Sequence, residues 1–152
     1  MRELFEGQEV SISGDDIAIS ALVYDSRKVE PKTLFAAFQG VTNDGHVYIP
    51  KALEKGATAI LCEREVDTPG ATRIVARNAR KALALAAKTF FDNPSESLKT
   101  VGITGTNGKT TIAHLLAEVF RAAGISPGTI GTLGVSYNDT QFETGLTTPE
   151  SV

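Results

Sequence analysis

The sequence predicts an α/β fold in two parts, and three observations predict it. Short apolar runs alternate along the chain with stretches of helical periodicity. A glycine-spaced segment, "GITGTNGKTT" at 102–111, stands between an extended run and an amphipathic one. A polar, proline-bearing stretch, "DNPSES" at 92–97, separates that segment from the alternating elements ahead of it.

In chain order, Leu22 to Tyr24 and Leu34 to Phe38 are apolar runs of strand length bounded by turn residues. Ile49 to Lys55 reads as a short helix stopped by Gly56, Ala59 to Cys62 as a strand, and Arg73 to Val75 as another. Asn78 is placed to cap a helix from Ala79 to about Phe91, with Ala79, Leu83, Ala86 and Phe90 along one face. The hinge at 92–97 then marks a domain boundary, giving domains 1–98 and 99–152. Beyond the glycine-spaced segment, Thr129 to Thr132 and Val135 to Tyr137 read as strands.

Thr100 to Thr104 reads as a short buried strand and Thr111 to Ala123 as a helix. The helix carries Ile112, Leu115, Leu116, Val119, Phe120 and Ala123 at three- and four-residue spacing, an apolar stripe, and Gly124 ends it. Between strand and helix, Gly105, Thr106, Asn107, Gly108 and Lys109 allow a tight turn with amide N–H groups pointing inward. The positive end of the helix dipole completes an anion cradle. Lys109 has the reach for the β- and γ-phosphates of a nucleotide, and the Thr110 hydroxyl is placed to ligate Mg²⁺. The glycines stand at 102, 105 and 108, whereas the leading glycine of a GxxxxGK[ST] loop would fall at Ile103. The competing reading is a glycine-rich turn with no ligand.

A chain of 152 residues that is 41% hydrophobic and 22% charged has ordinary globular composition. A net charge of −3 gives no basic footprint, which argues against nucleic acid as a partner. The single cysteine, Cys62, excludes an intrachain disulfide; it closes the apolar run Ala59 to Leu61 and reads as a small buried hydrophobe. With two histidines, His46 and His114, there is no metal cluster of the Cys/His kind. There is no signal peptide and no apolar run near 18 residues, which predicts a soluble, cytoplasmic protein with no membrane insertion.

Thr148, Pro149, Glu150 and Ser151 announce a helix just as the chain stops. A doubly wound nucleotide domain has further strands and an acidic residue that helps hold Mg²⁺. The expectation is therefore an N-terminal fragment of a longer protein, with the second domain incomplete.

Residues 24–63, "YDSRKVEPKTLFAAFQGVTNDGHVYIPKALEKGATAILCE", resemble the N-terminal domain shared by the MurE and MurF branches of the Mur ligases of bacterial cell-wall synthesis. "GITGTNGKTT" resembles the ATP loop of that family, glycine spacing included, and "GTIGTLG" at 128–134 with "TTPE" at 147–150 resembles MurE more than MurF. The resemblance covers nearly the whole chain. It implies a small UDP-substrate domain followed by the start of a P-loop ATPase domain. It also implies an ATP- and Mg²⁺-dependent amide-bond ligase with two sets of site residues. Gly105, Thr106, Asn107, Gly108, Lys109, Thr110 and Thr111 would form the ATP site, with Lys109 and Thr110 serving catalysis and Thr110 the metal. Tyr24, Ser26, Val41, Thr42 and Asn43 would lie against the uridine end of the substrate, and Thr147 and Thr148 against its muramoyl-peptide part.

The reaction so implied joins a diamino acid, meso-diaminopimelate or lysine, to UDP-N-acetylmuramoyl-L-Ala-D-Glu. Its terminal carboxylate first receives the γ-phosphoryl group, and the amine then attacks the acyl phosphate. The family's modified lysine, acidic metal ligand and amino-acid-selecting domain have no counterpart up to Val152, so the chain alone is expected to be inactive. The resemblance further implies a monomer. Three other readings stay open: a MurF-type ligase, a P-loop kinase or NTPase, and a non-catalytic nucleotide-sugar-binding module.

Each of these residues has a plainer reading. Asp25, Ser26 and Arg27, and likewise Asn43, Asp44 and Gly45, are good turn formers in any protein. His46 is placed for a local hydrogen bond, His114 falls with Glu118 and Arg121 on the polar side of its helix, and Thr147 and Thr148 suit a helix cap.

Overall fold

A computed structural model describes residues 1–40, 43–138, 140–142 and 150–152. They fall into two compact units, Met1–Ser97 with Ser151–Val152, and Leu98–Glu150. The mixed α/β class expected from the sequence is what the first unit has: a five-stranded sheet with helices on both faces.

The strands of that sheet are β1 (Val10–Ser13), β2 (Ala21–Val23), β3 (Thr33–Ala36), β4 (Ala57–Cys62) and β5 (Thr72–Ala76), in the spatial order β1-β5-β4-β3-β2. The last four run parallel to one another, and β1 closes the edge beside β5 antiparallel. Parallel strands need cover on both faces, which is why β3 and β4 read as unbroken apolar runs. Successive side chains of β3 and the residues after it alternate between two cores. Leu34, Ala36 and Phe38 join Leu61 and Ile74 under helix α2 (Ala79–Phe90), while Phe35 and Ala37 join Ile60 and Cys62 under helix α1 (Ile49–Glu54). Leu34, Phe35, Ile60, Leu61, Ile74 and Leu83 are fully shielded, each worth about 1.5–3 kcal/mol of burial.

The helix boundaries follow local chemistry. Asn78 caps α2 by accepting the Lys81 N–H at 2.8 Å, as its sequence position predicts. Ala79, Leu83 and Ala86 face the sheet, with Ala82 and Ala87 beside them and Phe90 half-buried. The strand β1 is absent from the sequence reading because only Val10 and Ile12 of its four residues are apolar, and its place is fixed by pairing with β5.

The second unit contains α3 (Lys109–Ala122) and an antiparallel sheet of β6 (Gly128–Gly131), β7 (Gly134–Tyr137) and β8 (Thr140–Phe142). The two strands expected there are present within a residue or so, and β8 adds a third. α3 ends in a Schellman arrangement: the Gly124 N–H reaches the Arg121 carbonyl, the Ile125 N–H reaches that of Phe120, and Gly124 has φ +77°.

Two expectations for this unit need correction. Thr100 to Thr104 is not a buried strand: the residues pair with no described strand, and Val101 is 59% exposed. An extended run becomes a strand only when a neighbour takes its N–H and C=O groups, and β6 to β8 bond only to one another. The stripe on α3 is likewise only partly covered by the described residues. The helix packs against β6 through Ala117, its buried residue, with Leu116 and Phe120 half-buried, while Ile112, Leu115 and Val119 are 48%, 61% and 61% exposed. A three-stranded sheet of short strands covers one side of a 14-residue helix and no more. His114 is exposed and Glu118 pairs with Arg121, as the polar side of a helix should.

The helix announced at Thr148 and Pro149 begins outside the described residues, and Glu150, Ser151 and Val152 are in no helix. Val41, Thr42, Thr147 and Thr148 also lie outside them.

Candidate functional site

Two turns leave the carboxyl ends of the neighbouring strands β2 and β3, and they are built alike. After β2, Asp25 caps a single 3₁₀ turn, Ser26–Lys28, by accepting the Arg27 N–H at 2.9 Å. The Arg27 guanidinium also grips the Asp25 carboxylate, with Nη2 at 2.7 Å, and this hydrogen bonding holds the Asp25 pKa down at about 2. After β3, Asp44 caps the 3₁₀ turn Gly45–Tyr48 by accepting the His46 N–H at 3.0 Å. Arg64 lies 2.7 Å from its other oxygen, and chiefly through that bond the Asp44 carboxyl is held well below the usual carboxylate range. Both turns therefore carry fixed negative charge at neutral pH.

Gly45 is needed where it stands. Its N–H donates to the Phe38 carbonyl at 3.0 Å, and a Cβ there would sit 2.9 Å from that oxygen and 3.0 Å from the Phe38 nitrogen. Tyr24 follows β2 directly; its ring stacks with Phe38 at 6.3 Å between centroids, and the Arg80 guanidinium lies 4.5 Å over the same Phe38 ring. Phe38 is nearly buried, while Tyr24 is 38% exposed. Ser26 is buried at the start of its 3₁₀ turn.

The next strand end joins in. The Glu63 carboxylate, just beyond β4, accepts the Gln39 N–H at 3.0 Å on one oxygen and the Ala79 N–H at 3.2 Å on the other. Its own N–H donates to His46 Nε2 at 3.0 Å, and His46 Nδ1 lies 2.6 Å from Asp44. That pairing assigns the imidazole hydrogen to Nδ1, since Nε2 is accepting. The N-terminus of α2 is thus already occupied by the chain's own carboxylate.

The glycine-spaced loop is described within the second unit. Gly108 has φ +77° and is the N-cap of α3, with nothing within 4 Å of where a Cβ would be. Space is no obstacle there, but the left-handed backbone is. α3 has no side-chain cap, so the N–H groups of Lys109, Thr110 and Thr111 have no acceptor within the helix. Lys109 Nζ donates to the Gly105 carbonyl at 2.6 Å, which holds the ammonium across the loop. Three amides and an ammonium at one helix start suit a phosphate group.

Of the residues expected from the sequence, Tyr24, Ser26 and Asn43 lie at the carboxyl ends of β2 and β3, and Gly105, Thr106, Asn107, Gly108, Lys109, Thr110 and Thr111 form the exposed loop and first turn of α3. Phe38, Glu63, Arg64 and Arg80 escaped the sequence reading. Glu63 and Arg64 had a signal, since they directly follow the buried run Ala59 to Cys62, at a strand's carboxyl end. Cys62 is buried and its thiol is pushed up to about 11 by burial, as suits an inert side chain.

A mostly parallel five-stranded sheet flanked by helices is thus followed by a separate unit that carries a glycine-spaced loop at a helix start. The profile described as "Mur ligase family, catalytic domain" matches residues 18–91, and that described as "Mur ligase middle domain" matches residues 103–152. The chain belongs to the Mur ligase family. It is 45% identical over 138 residues to the UDP-N-acetylmuramoyl-L-alanyl-D-glutamate--2,6-diaminopimelate ligase of Bacillus licheniformis, an alignment covering 91% of this chain and 28% of that protein. A solved structure of a ligase of the same name matches with a TM-score of 0.65 at 26% identity, covering 81% of this chain and 26% of that one. The MurF ligase of Thermotoga maritima, solved in complex with ADP, matches with a TM-score of 0.53 at 28% identity, over 67% of this chain and 23% of that one. The chain spans about three tenths of the length of its curated relatives.

Proposed function

We propose that this chain serves a MurE-type ligase, binding the UDP end of a UDP-N-acetylmuramoyl dipeptide through its first unit and ATP through its second. The observation that carries this reading is the likeness to diaminopimelate-adding ligases along 91% of the chain. The geometry supports it: Tyr24, Ser26 and Asn43 stand beyond the carboxyl ends of adjacent parallel strands, where ligands of such sheets gather. The domains are read as 1–98 and 99–152, working in the cytoplasm as a monomer. Among the described residues, no helix is long and apolar enough to cross a membrane.

In this reading ATP supplies the phosphoryl group that turns the substrate's carboxylate into an acyl donor able to accept an amine. The amides of the Gly105–Thr111 segment cradle the phosphates, and Lys109 offsets their charge, most of all where negative charge grows in the transition state. Thr110 presents its hydroxyl to Mg²⁺. No group of three or more His, Cys, Asp or Glu among the described residues could hold a metal by itself, so the phosphates would complete that ion's shell. In the first unit, uridine rests on the exposed Tyr24 ring, and Ser26 with residues 41–43 meets its polar edges. Thr147 and Thr148 meet the muramoyl peptide. Binding energy spent on uridine, far from the reacting carboxylate, fixes where the peptide end lies.

Amide chemical-shift mapping of residues 1–152 tests the reading. UDP should move Ser26, Thr42 and Asn43 with a Kd of about 0.1 to several mM, roughly 4–5 kcal/mol of binding. ATP with Mg²⁺ should move 105–111 and leave those three in place. UDP shifts confined to 105–111 would show that the first unit is no handle. Which diamino acid is added is read as meso-diaminopimelate from the names of the relatives.

A further inference from the structure

Glu63 is joined to three other segments at once. Its two carboxylate oxygens take the N–H groups of Gln39, after β3, and Ala79, at the start of α2; its own N–H is taken by His46. Between Gln39 and His46 lie residues 41–43, which the proposed function assigns to uridine. The residues on either side are paired: the Gly40 N–H donates to the Asn43 carbonyl at 2.8 Å, and Gln39 pairs with Asp44 in an antiparallel bridge. Gln39 is then tied to the Glu63 side chain. Asp44 is tied to Arg64 at 2.7 Å and, through the His46 ring at 2.6 Å, to the Glu63 amide.

Gln39 and Asp44 are thus both fastened to two consecutive residues at the end of β4. The imidazole that makes the link is nearly fully buried, so water does not compete for it. The fold alone does not call for this. β3 and β4 are already paired along their length, and α2 already has Asn78 as its cap. The bonds from Glu63 and His46 fix something else, the positions of Gln39 and Asp44 and the bridge between them.

We propose that Glu63 and His46 are positioning residues for the uridine end of the substrate, holding the paired segments Gln39–Gly40 and Asn43–Asp44 in place without touching the ligand. The proposal rests on the reading of residues 41–43 as the uridine contact. Glu63→Gln keeps shape and one acceptor but sets an amide N–H₂ against one of the two backbone donors. His46→Gln cannot bridge Asp44 and the Glu63 amide together. Displacing a binding turn by about 1 Å is enough to weaken what it holds by an order of magnitude or more.

The test is UDP titration of the 1–152 chain, wild type and variants, followed by amide shifts and by hydrogen exchange at Gly40 and Gly45. Glu63→Gln and His46→Gln should each raise the UDP Kd at least about tenfold and speed exchange at those two amides. Leu83→Val, a core change outside the site that also lowers Tm, is the control for stability and should leave the UDP Kd within about twofold. If wild type binds UDP and both variants, folded by their dispersed spectra, bind it as well as the control does, positioning by Glu63 and His46 is refuted while the uridine handle stands. If wild type shows no UDP shift in residues 24–46, the handle falls and the positioning role falls with it.

Discussion

Removing the Tyr24 ring should separate ligand binding from folding in the first unit. The ring stacks with Phe38, itself beneath the Arg80 guanidinium, and Tyr24 is 38% exposed. A base stacked on such a ring gains about 1–3 kcal/mol, judged by alanine substitution. Tyr24→Ala should therefore weaken UDP by about 5- to 150-fold, taking a Kd near 1 mM to about 5 mM or beyond. Tyr24→Phe keeps the stacking face and should stay within about threefold. Folding should suffer less, because a partly exposed ring gives up only a fraction of the roughly 3–5 kcal/mol that a core aromatic costs on truncation. The assay is the same amide-shift titration, run beside thermal melts of each variant. An unchanged UDP Kd in a folded Tyr24→Ala chain would refute the stacking argument and move the base elsewhere.

Three further outcomes are expected. Asn78→Ala removes the acceptor for the Lys81 N–H and should cost about 1 kcal/mol, lowering Tm by about 4–8 °C in a melt, whereas Asn78→Asp should retain the cap. Lys109 is exposed and its ammonium donates to the Gly105 carbonyl, so Lys109→Ala should leave the melt within about 0.5 kcal/mol; in a full-length ligase carrying this sequence it should slow ligation by about 10²-fold or more, read by ADP release. Asp25, with its pKa lowered from 3.8 to about 2, adds stability that is present in full above its unfolded value and is lost as pH falls from about 4 through 2. Because Arg27 is 83% exposed, that contribution stays under about 1 kcal/mol and shrinks with salt, so acid melts of Asp25→Asn and wild type should converge below pH 2.

The sequence by itself determined the class of the first unit and most of its elements, because there the local signal and the packing agree. Asn78 is a cap in the sequence and a cap in the structure, Gly124 ends α3 by the geometry a glycine allows, and the unbroken apolar run Ala59 to Cys62 can only be a strand covered on both faces. The glycine-spaced loop was legible for the same reason, since its backbone demands are local. Only the tertiary structure decided which apolar residues found a partner. Periodicity paints a stripe on α3 but does not say what covers it, and among the described residues Ile112, Leu115 and Val119 stand exposed. Thr100 to Thr104 has strand composition but no neighbour among the described strands to complete its hydrogen bonds. The site is the same lesson from the polar side. Asp25 and Asp44 could be read as turn formers one at a time, but the fastening of Gln39, His46 and Ala79 by Glu63 joins residues 16 to 24 positions away from it, and no local spacing encodes it. Such contacts exist because adjacent parallel strands bring their carboxyl ends to one edge of the sheet, a juxtaposition that pairing alone creates.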